Sequence, residues 1–247
     1  MALERIYGRH PVAEAVRAGR RPIRRLWAAD RVALPEGAGP AKSASAQELQ
    51  LLCGSPEHQG LVAEVNPFPY ADPTTLLSGQ GPTLVIALDQ IQDPRNLGAI
   101  CRSAEVAGAD GVVIPSRRAA AVTPAVCKAS AGAVEHLAIA RVTNLASWLE
   151  RAKDSGAWVH GASASAETDY DEADLSGPVV LVVGGEEKGL RPRVAQTCDV
   201  LVRIPQHGRV ESLNAAGAAT ILIFEARRQR RRSTSRTPGP GTAKPKA

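Results

Sequence analysis

From Leu84 onward the chain repeats one pattern: a short unbroken apolar run, then a stretch with helical spacing. The runs are Leu84–Leu88, Gly111–Ile114, Leu137–Arg141, Trp158–Gly161, Val179–Val183 and Val200–Ile204. None alternates apolar with polar residues, as a half-exposed strand would, so each is expected to be a strand buried on both faces. Helices are expected after Asn96, from Thr123-Pro124, from Leu145 to a stop at Gly156, and from Leu213 into a run of arginines. Thr123 is a good cap and Pro124 suits a first helical position. Strands and helices that alternate in this way imply an α/β domain with a parallel sheet. Aromatic residues make up only 3% of a chain that is 44% hydrophobic. The core must therefore be built from Val, Leu, Ile and Ala, and a surface that stacks bases on many rings is excluded.

Before this domain lies a small αβ module. His10–Gly19 and Ala46–Gly54 read as helical, Ile23–Ala29 and Leu61–Val65 as extended, and residues 34–45 as a loop. Pro67, Pro69, Pro73, Gly79, Gly81 and Pro82 then crowd one segment, which marks a boundary. The expected organisation is a substrate-binding module over 1–67, a linker over 68–83, the α/β domain over 84–230, and a basic disordered tail over 231–247.

The net charge of +5 is concentrated at the two ends. No acidic residue follows Glu225, while Arg227, Arg228, Arg230, Arg231, Arg232, Arg236, Lys244 and Lys246 do. Arg5, Arg9, Arg17, Arg20, Arg21, Arg24 and Arg25 open the chain. Any one of these arginines is best explained as solvated charge, but two clusters together point to a nucleic-acid partner. Arg9, Arg20, Arg21, Arg24 and Arg25 are the candidate RNA contacts. Cys53, Cys101, Cys127 and Cys198 form no C-x-x-C pair, and no ligand cluster has metal spacing, so no metal is expected. No run is long and apolar enough to span a membrane, and no secretory leader opens the sequence. A reduced, cytoplasmic setting is the expectation.

Rossmann, Walker, nucleophile-elbow and H-E-x-x-H signatures are all missing. Three segments remain that a plain sheet does not need. The first runs from Asp89 through Asp93-Pro94-Arg95-Asn96-Leu97-Gly98 to Arg102-Ser103, leaving the carboxyl end of a strand. Ligands bind at that edge in open α/β sheets. Asn96 alone is equally explained as a helix cap, with Gly98 allowing close packing, but neither accounts for Arg102. The second is Gly184-Gly185-Glu186-Glu187-Lys188-Gly189, which is an ordinary turn or a close backbone approach to a ligand. The third, Arg203-Ile204-Pro205-Gln206-His207-Gly208-Arg209-Val210-Glu211-Ser212-Leu213-Asn214, joins a strand to the last helix, where Ser212 alone reads as a cap.

Taken in order, D-P-x-N-x-G-x-x-x-R, G-x-E-x-x-G and I-P-x-x-G-x-x-x-S-L-N resemble motifs one, two and three of the SpoU (TrmH-like) branch of the SPOUT methyltransferases. Tyr7-Gly8-Arg9-His10-Pro11-Val12 and Glu57-His58-Gln59-Gly60-Leu61-Val62 resemble that family's substrate-binding domain, whose fold is like that of some RNA-binding ribosomal proteins. The resemblance implies a trefoil-knotted α/β domain with a parallel sheet. It also implies S-adenosylmethionine as methyl donor, a homodimer, and 2′-O-methylation of a ribose in structured RNA. The closest likeness is to members that modify a guanosine of 23S ribosomal RNA. Transfer RNA is the alternative substrate, and a non-catalytic RNA-binding protein the reading from another class.

Carried over by motif, the catalytic group is Asn96, Arg102, Glu186, Ser212 and Asn214. The donor pocket is Gly184, Gly185, Ile204, Pro205, Ser212, Leu213 and Asn214, with Gly161-Ala162-Ser163-Ala164 alongside. The family assigns proton removal to the arginine matching Arg102. A guanidinium with a pKa near ~12.5 or above is a poor base, so stabilisation of the developing alkoxide is its expected part. His207 is expected at the pocket rim. The sequence departs from the family in Asn214-Ala215-Ala216-Gly217, where Asn-Val-Ser-Val is usual, and a helical glycine there costs about 1 kcal/mol relative to alanine.

Overall fold

A computed structural model describes residues 3–78, 83–185, 188–209 and 212–235. The first module begins with β1 (Glu4–Tyr7), α1 (Arg9–Ala18), β2 (Ile23–Ala28), β3 (Lys42–Ser43), α2 (Ala46–Cys53) and β4 (Leu61–Val65). Its strands pair in the order β1-β4-β2-β3, with β4 antiparallel to both neighbours. Both helices stop where glycine allows a left-handed turn, at Gly19 and Gly54. Ser45 and Glu48 form a reciprocal capping box at the start of α2. The strand β1 was not expected, because Glu4 and Arg5 interrupt its apolar pattern.

The second unit contains β5 (Leu84–Asp89), α3 (Pro94–Val106), β6 (Gly111–Pro115), α4 (Pro124–Ala129), β7 (Ile139–Val142), α5 (Leu145–Asp154) and β8 (Trp158–Ala162). It continues through β9 (Thr168–Asp169), β10 (Val179–Gly184), α6 (Pro192–Thr197), β11 (Val200–Arg203) and α7 (Ala215–Ser235). Its seven strands lie in the order β7-β6-β5-β10-β8-β11-β9, and every adjacent pair is parallel. β5 and β6 are buried along their whole length, as unbroken apolar runs require. Leu84, Ile86 and Leu88 face one core with residues of α3, α4 and α7, while Val85 and Ala87 face another with Leu145, Trp148 and Leu149 of α5. Helices thus cover both faces of a parallel sheet. Among the described residues no helix is long and apolar enough to cross a membrane.

The proline-rich segment expected as a linker is laid against this sheet. Ala71 donates to the Ile139 carbonyl at 2.8 Å, the Trp148 indole donates to the Pro73 carbonyl at 3.1 Å, and Leu76 is buried. Residues 79–82 of that segment lie outside the described residues. At the other end α7 runs through Ser235, past the expected start of the tail. Residues 236–247 are not among those described.

The two units share one apolar core, in which Ile6, Val12, Leu26 and Ala63 pack with Leu97, Val126 and Val134. Arg21 closes it. Its side chain is wholly buried, its Nε donates to Glu135 at 3.0 Å, and its Nη1 donates to Glu4 at 2.9 Å. A second contact to Glu135 is shorter still. Burial alone would lower the Arg21 pKa, but the hydrogen bond to Glu135 together with the contacts to Cys127 and the Glu135 charge outweighs it, so it lies above the ordinary value. Arg20 donates to the Leu137 carbonyl at 2.9 Å, and the Phe68 ring lies beneath both guanidiniums. The expectation that Arg21 contacts RNA is therefore corrected. A guanidinium sealed between two carboxylates cannot reach a phosphate without leaving Glu135 buried and unpaired. Arg230 is a similar correction in the C-terminal cluster. It is buried, and it donates to the carbonyls of Thr83 at 2.8 Å and Gly177 at 2.7 Å.

Candidate active site

The irregular segments singled out in the sequence gather at the carboxyl ends of the parallel strands. One cavity of about 490 Å³ lies among the ends of β8, β10 and β11 and the start of α7. Gly184, Gly185, Ile204, Ser212 and Leu213 of the expected donor pocket line it, as do Ala162, Ser163 and Ala164. Pro205 and Asn214 are adjacent in sequence but are not part of its wall. A second cavity of about 430 Å³ lies between the turn after β5 and the loop after β10. Asn96 is in its wall with Gln90, Gln92, Asp93 and Arg118. The two cavities meet at Gly185, Lys188 and Gly189, which line both.

A buried carboxylate fixes this meeting point. Asp89 ends β5 with no exposure. It accepts from both the backbone N–H and the Nε of Arg191, each at 2.8 Å, and its carbonyl accepts from the Gly185 N–H at 3.0 Å. Gly189 closes the loop by donating to the Gly185 carbonyl at 2.9 Å. A Cβ on Gly184 would sit 2.2 Å from the carbonyl carbon of Gly189. The loop folds back this tightly only because residue 184 has no side chain. Sequence reading included Asp89 in the first segment but gave it no part. Its signal was a lone acid ending an otherwise apolar run.

Asp93, not Asn96, caps α3, accepting from the Arg95 N–H at 2.8 Å with Pro94 in the first position. Asn96 is thereby left to face the cavity from the first turn. Asn214 rather than Ser212 caps α7, its Oδ1 accepting from the Gly217 N–H at 2.7 Å. A Cβ on Gly217 would come within 3.0 Å of the same oxygen, so the glycine leaves that cap more room. Arg102 lines neither cavity. It follows Asn96 by six positions, about 120° away around the helix, and is exposed on a stripe with Arg95 and Val106. Glu186 lies outside the described residues. Cys101 and Cys127 are buried thiols pushed up to about 12 by that burial, which suits core residues and not nucleophiles. Among the described residues no cluster of His, Cys, Asp or Glu is arranged to hold a metal.

Of the candidate RNA contacts, Arg9, Arg20, Arg24 and Arg25 are exposed, although Arg20 also donates to the Leu137 carbonyl. Arg24 donates to the Asn66 side chain at 3.0 Å, and Arg25 lies 3.8 Å from Glu64 with most of its side chain in solvent. Arg118 and Lys188 were missed as site residues. Lys188 is a lone cation and Arg118 one of an adjacent arginine pair, Arg117-Arg118, outside every motif, and only the strand order brings their loops together.

A family model described as the SpoU rRNA Methylase family matches residues 83–224, and one described as RNA 2′-O ribose methyltransferase substrate binding matches residues 5–71. An uncharacterized tRNA/rRNA methyltransferase of Mycobacterium avium (strain 104) is 42% identical over 242 residues, 92% of this chain and 78% of that protein. The SpoU methyltransferase AviRb from Streptomyces viridochromogenes, in complex with AdoMet, is similar with a TM-score of 0.77 at 29% identity, over 92% of this chain and 90% of that one. An AdoMet-bound rRNA methyltransferase from Sinorhizobium meliloti is similar with a TM-score of 0.77 at 28% identity, over 92% and 87% of the two chains.

Proposed function

This chain belongs to the SpoU rRNA methylase family, S-adenosylmethionine-dependent RNA 2′-O-ribose methyltransferases, and from that premise we propose that it methylates a guanosine ribose of 23S ribosomal RNA. The observation that carries the reading is the convergence of the three motif segments on two cavities that share one loop. The family description and the rRNA methyltransferase of Sinorhizobium meliloti support ribosomal RNA. The guanosine rests on the likeness of the motif set to members that modify that nucleoside.

The cavity at the ends of β8, β10 and β11 suits the donor. Its volume is in the range of small-molecule sites, roughly 300–1,000 Å³. Ala162, Ala164, Leu201, Ala215 and Ala218 form flat apolar walls, while Ser163 and Ser212 add hydroxyls. The donor supplies an electrophilic methyl carbon when bound. Gly184, Gly185, Ile204, Pro205, Ser212, Leu213 and Asn214 are proposed to hold it, along the knotted path the family resemblance implies. Asn96, in the wall of the neighbouring cavity, is proposed to orient the ribose hydroxyl, with Glu186, Ser212 and Asn214 completing the polar surround. Arg102 is proposed to stabilise the alkoxide as the proton leaves. Because it lines neither cavity of its own chain, that part requires a second copy. The exposed stripe of Arg102 and Val106 on α3, beside the exposed Phe224 of α7, is the proposed homodimer face. The cell compartment that fits is the cytoplasm, where ribosomal RNA is found.

Incubating the protein with isotopically labelled S-adenosylmethionine and total unmodified RNA, then mapping ribose methylation, tests the reading. Label at one 23S ribosomal guanosine is expected. Label confined to transfer RNA would replace the substrate, and binding of RNA without label would replace the activity.

A further inference from the structure

We infer that Arg118, on the loop after β6, binds an RNA phosphate next to the methylated ribose, with Lys188 across the same cavity as its partner. The inference rests on the methyltransferase reading above. It assigns the polar cavity beside the donor pocket to a phosphodiester.

Four observations carry it. First, the cavity holds two cations from separate loops, and among the described residues neither has a hydrogen-bond or ion-pair partner. The one carboxylate in the described wall, Asp93, already accepts from the Arg95 N–H. Second, the cavity is continuous with the donor pocket through Gly185, Lys188 and Gly189. A ribose presented there brings a phosphate on each side of it, and a planar guanidinium pairs with phosphate oxygens two at a time. Third, the Arg118 loop is anchored just after Arg118 to the turn following β5 and to the proline-rich segment. The Ala120 N–H donates to the Ile91 carbonyl at 2.8 Å, and the Val122 N–H donates to the Tyr70 hydroxyl at 2.8 Å. Fourth, Arg118 and Gln90, which both face this cavity, hold left-handed backbone at φ 56° and 61°. Glycine would adopt that conformation freely. An arginine held there points to the side chain as what the position requires.

The test is single-turnover methyl transfer to unmodified total RNA, at saturating S-adenosylmethionine, across RNA and salt concentrations. Arg118→Ala is expected to raise the half-saturating RNA concentration at least about tenfold, the lower end for a charge-assisted contact. The slope of log affinity against log salt should fall by about 0.7, as for one lost single-strand contact. The rate at saturating RNA and the affinity for S-adenosylmethionine should change little. Arg118→Lys should restore the salt slope but only part of the affinity, because a lysine cannot pair in a bidentate way. Unchanged half-saturation and slope in Arg118→Ala would overturn the inference, and so would a loss confined to the saturated rate. If the wild-type chain transfers no methyl group, the parent reading fails instead. The salt slope of RNA retention on filters then judges Arg118 by the same criterion.

Discussion

Asn214 has two possible uses for one carboxamide. Its oxygen caps α7 through the Gly217 N–H, while motif three proposes it for the chemistry. The two uses separate by substitution. Asn214→Ala should lose the cap, at a cost of about 1 kcal/mol, and the activity as well. Asn214→Asp keeps an accepting oxygen at a helix N-terminus, where negative charge is favourable, and removes only the NH₂ group. Thermal melts should therefore spare the aspartate variant while methyl transfer is lost in both. An active Asn214→Asp enzyme would confine the residue to capping. His160 makes a different prediction. It is buried in β8, its Nδ1 has no partner among the described residues, and burial holds its pKa below the usual histidine value. The unfolded chain takes up a proton near pH ~6.5, but the folded chain resists it. Above that pH both states are neutral and the residue contributes nothing; below it, stability should be lost as pH falls. Urea midpoints at about pH 7.5 and about pH 5.5 should differ less in His160→Asn than in the wild type. An equal difference in both would assign the acid sensitivity to carboxylates.

At the scale of elements, tight helix packing sets what the site can tolerate. A Cβ on Gly98 of α3 would lie 2.5 Å from the Ala129 Cβ at the end of α4. Gly98→Ala must push the helices apart, at about 1–3 kcal/mol for overpacking. A chemical denaturation midpoint equal to the wild type would show that the contact relaxes freely. Gly98 was legible in the sequence as a packing glycine, and so were the six long strands from their apolar runs, although burial on both faces holds for β5, β6 and most of β10 and not for β11, where only Val202 is buried. β3 and β9 were not legible: each has two residues, too few for any period. The six-residue α6 escaped for the same reason. The wall of the cavity proposed for the donor was partly legible, because motifs two and three and the 161–164 segment supply much of it. The cation pair across the second cavity could not, because Arg118 and Lys188 are neighbours only through the order β6-β5-β10. That order is a property of the sheet, and no window of sequence contains it.

At the scale of the whole molecule, two exposed or buried arginines decide how the parts cooperate. If Arg102 serves the site of a second copy, mixing an Arg102→Ala chain with an Asn96→Ala chain should restore part of the activity that each lacks alone. No restoration, in dimers shown by mass to be mixed, would return Arg102 to its own chain. Arg21 decides whether the first module is docked or tethered. Its guanidinium and the Glu135 carboxylate are 0% and 1% exposed, and they join α1's end to the segment before β7. Removing one partner of such a pair leaves a buried charge uncompensated, which costs about 3–5 kcal/mol. Arg21→Met should therefore destabilise strongly. Arg21→Met combined with Glu135→Leu should recover much of the loss, since an apolar pair of similar volume can replace a buried ion pair. Because both modules contribute to one core, the wild type should unfold in guanidinium chloride as a single transition. In Arg21→Met the first module should come away first, giving two. An Arg21→Met chain within about 1 kcal/mol of the wild type, the ordinary range for a point substitution, would mean that the apolar contacts alone hold the modules together. The placement of Arg9, Arg20, Arg24 and Arg25, the exposed candidate RNA contacts, would then not depend on this ion pair.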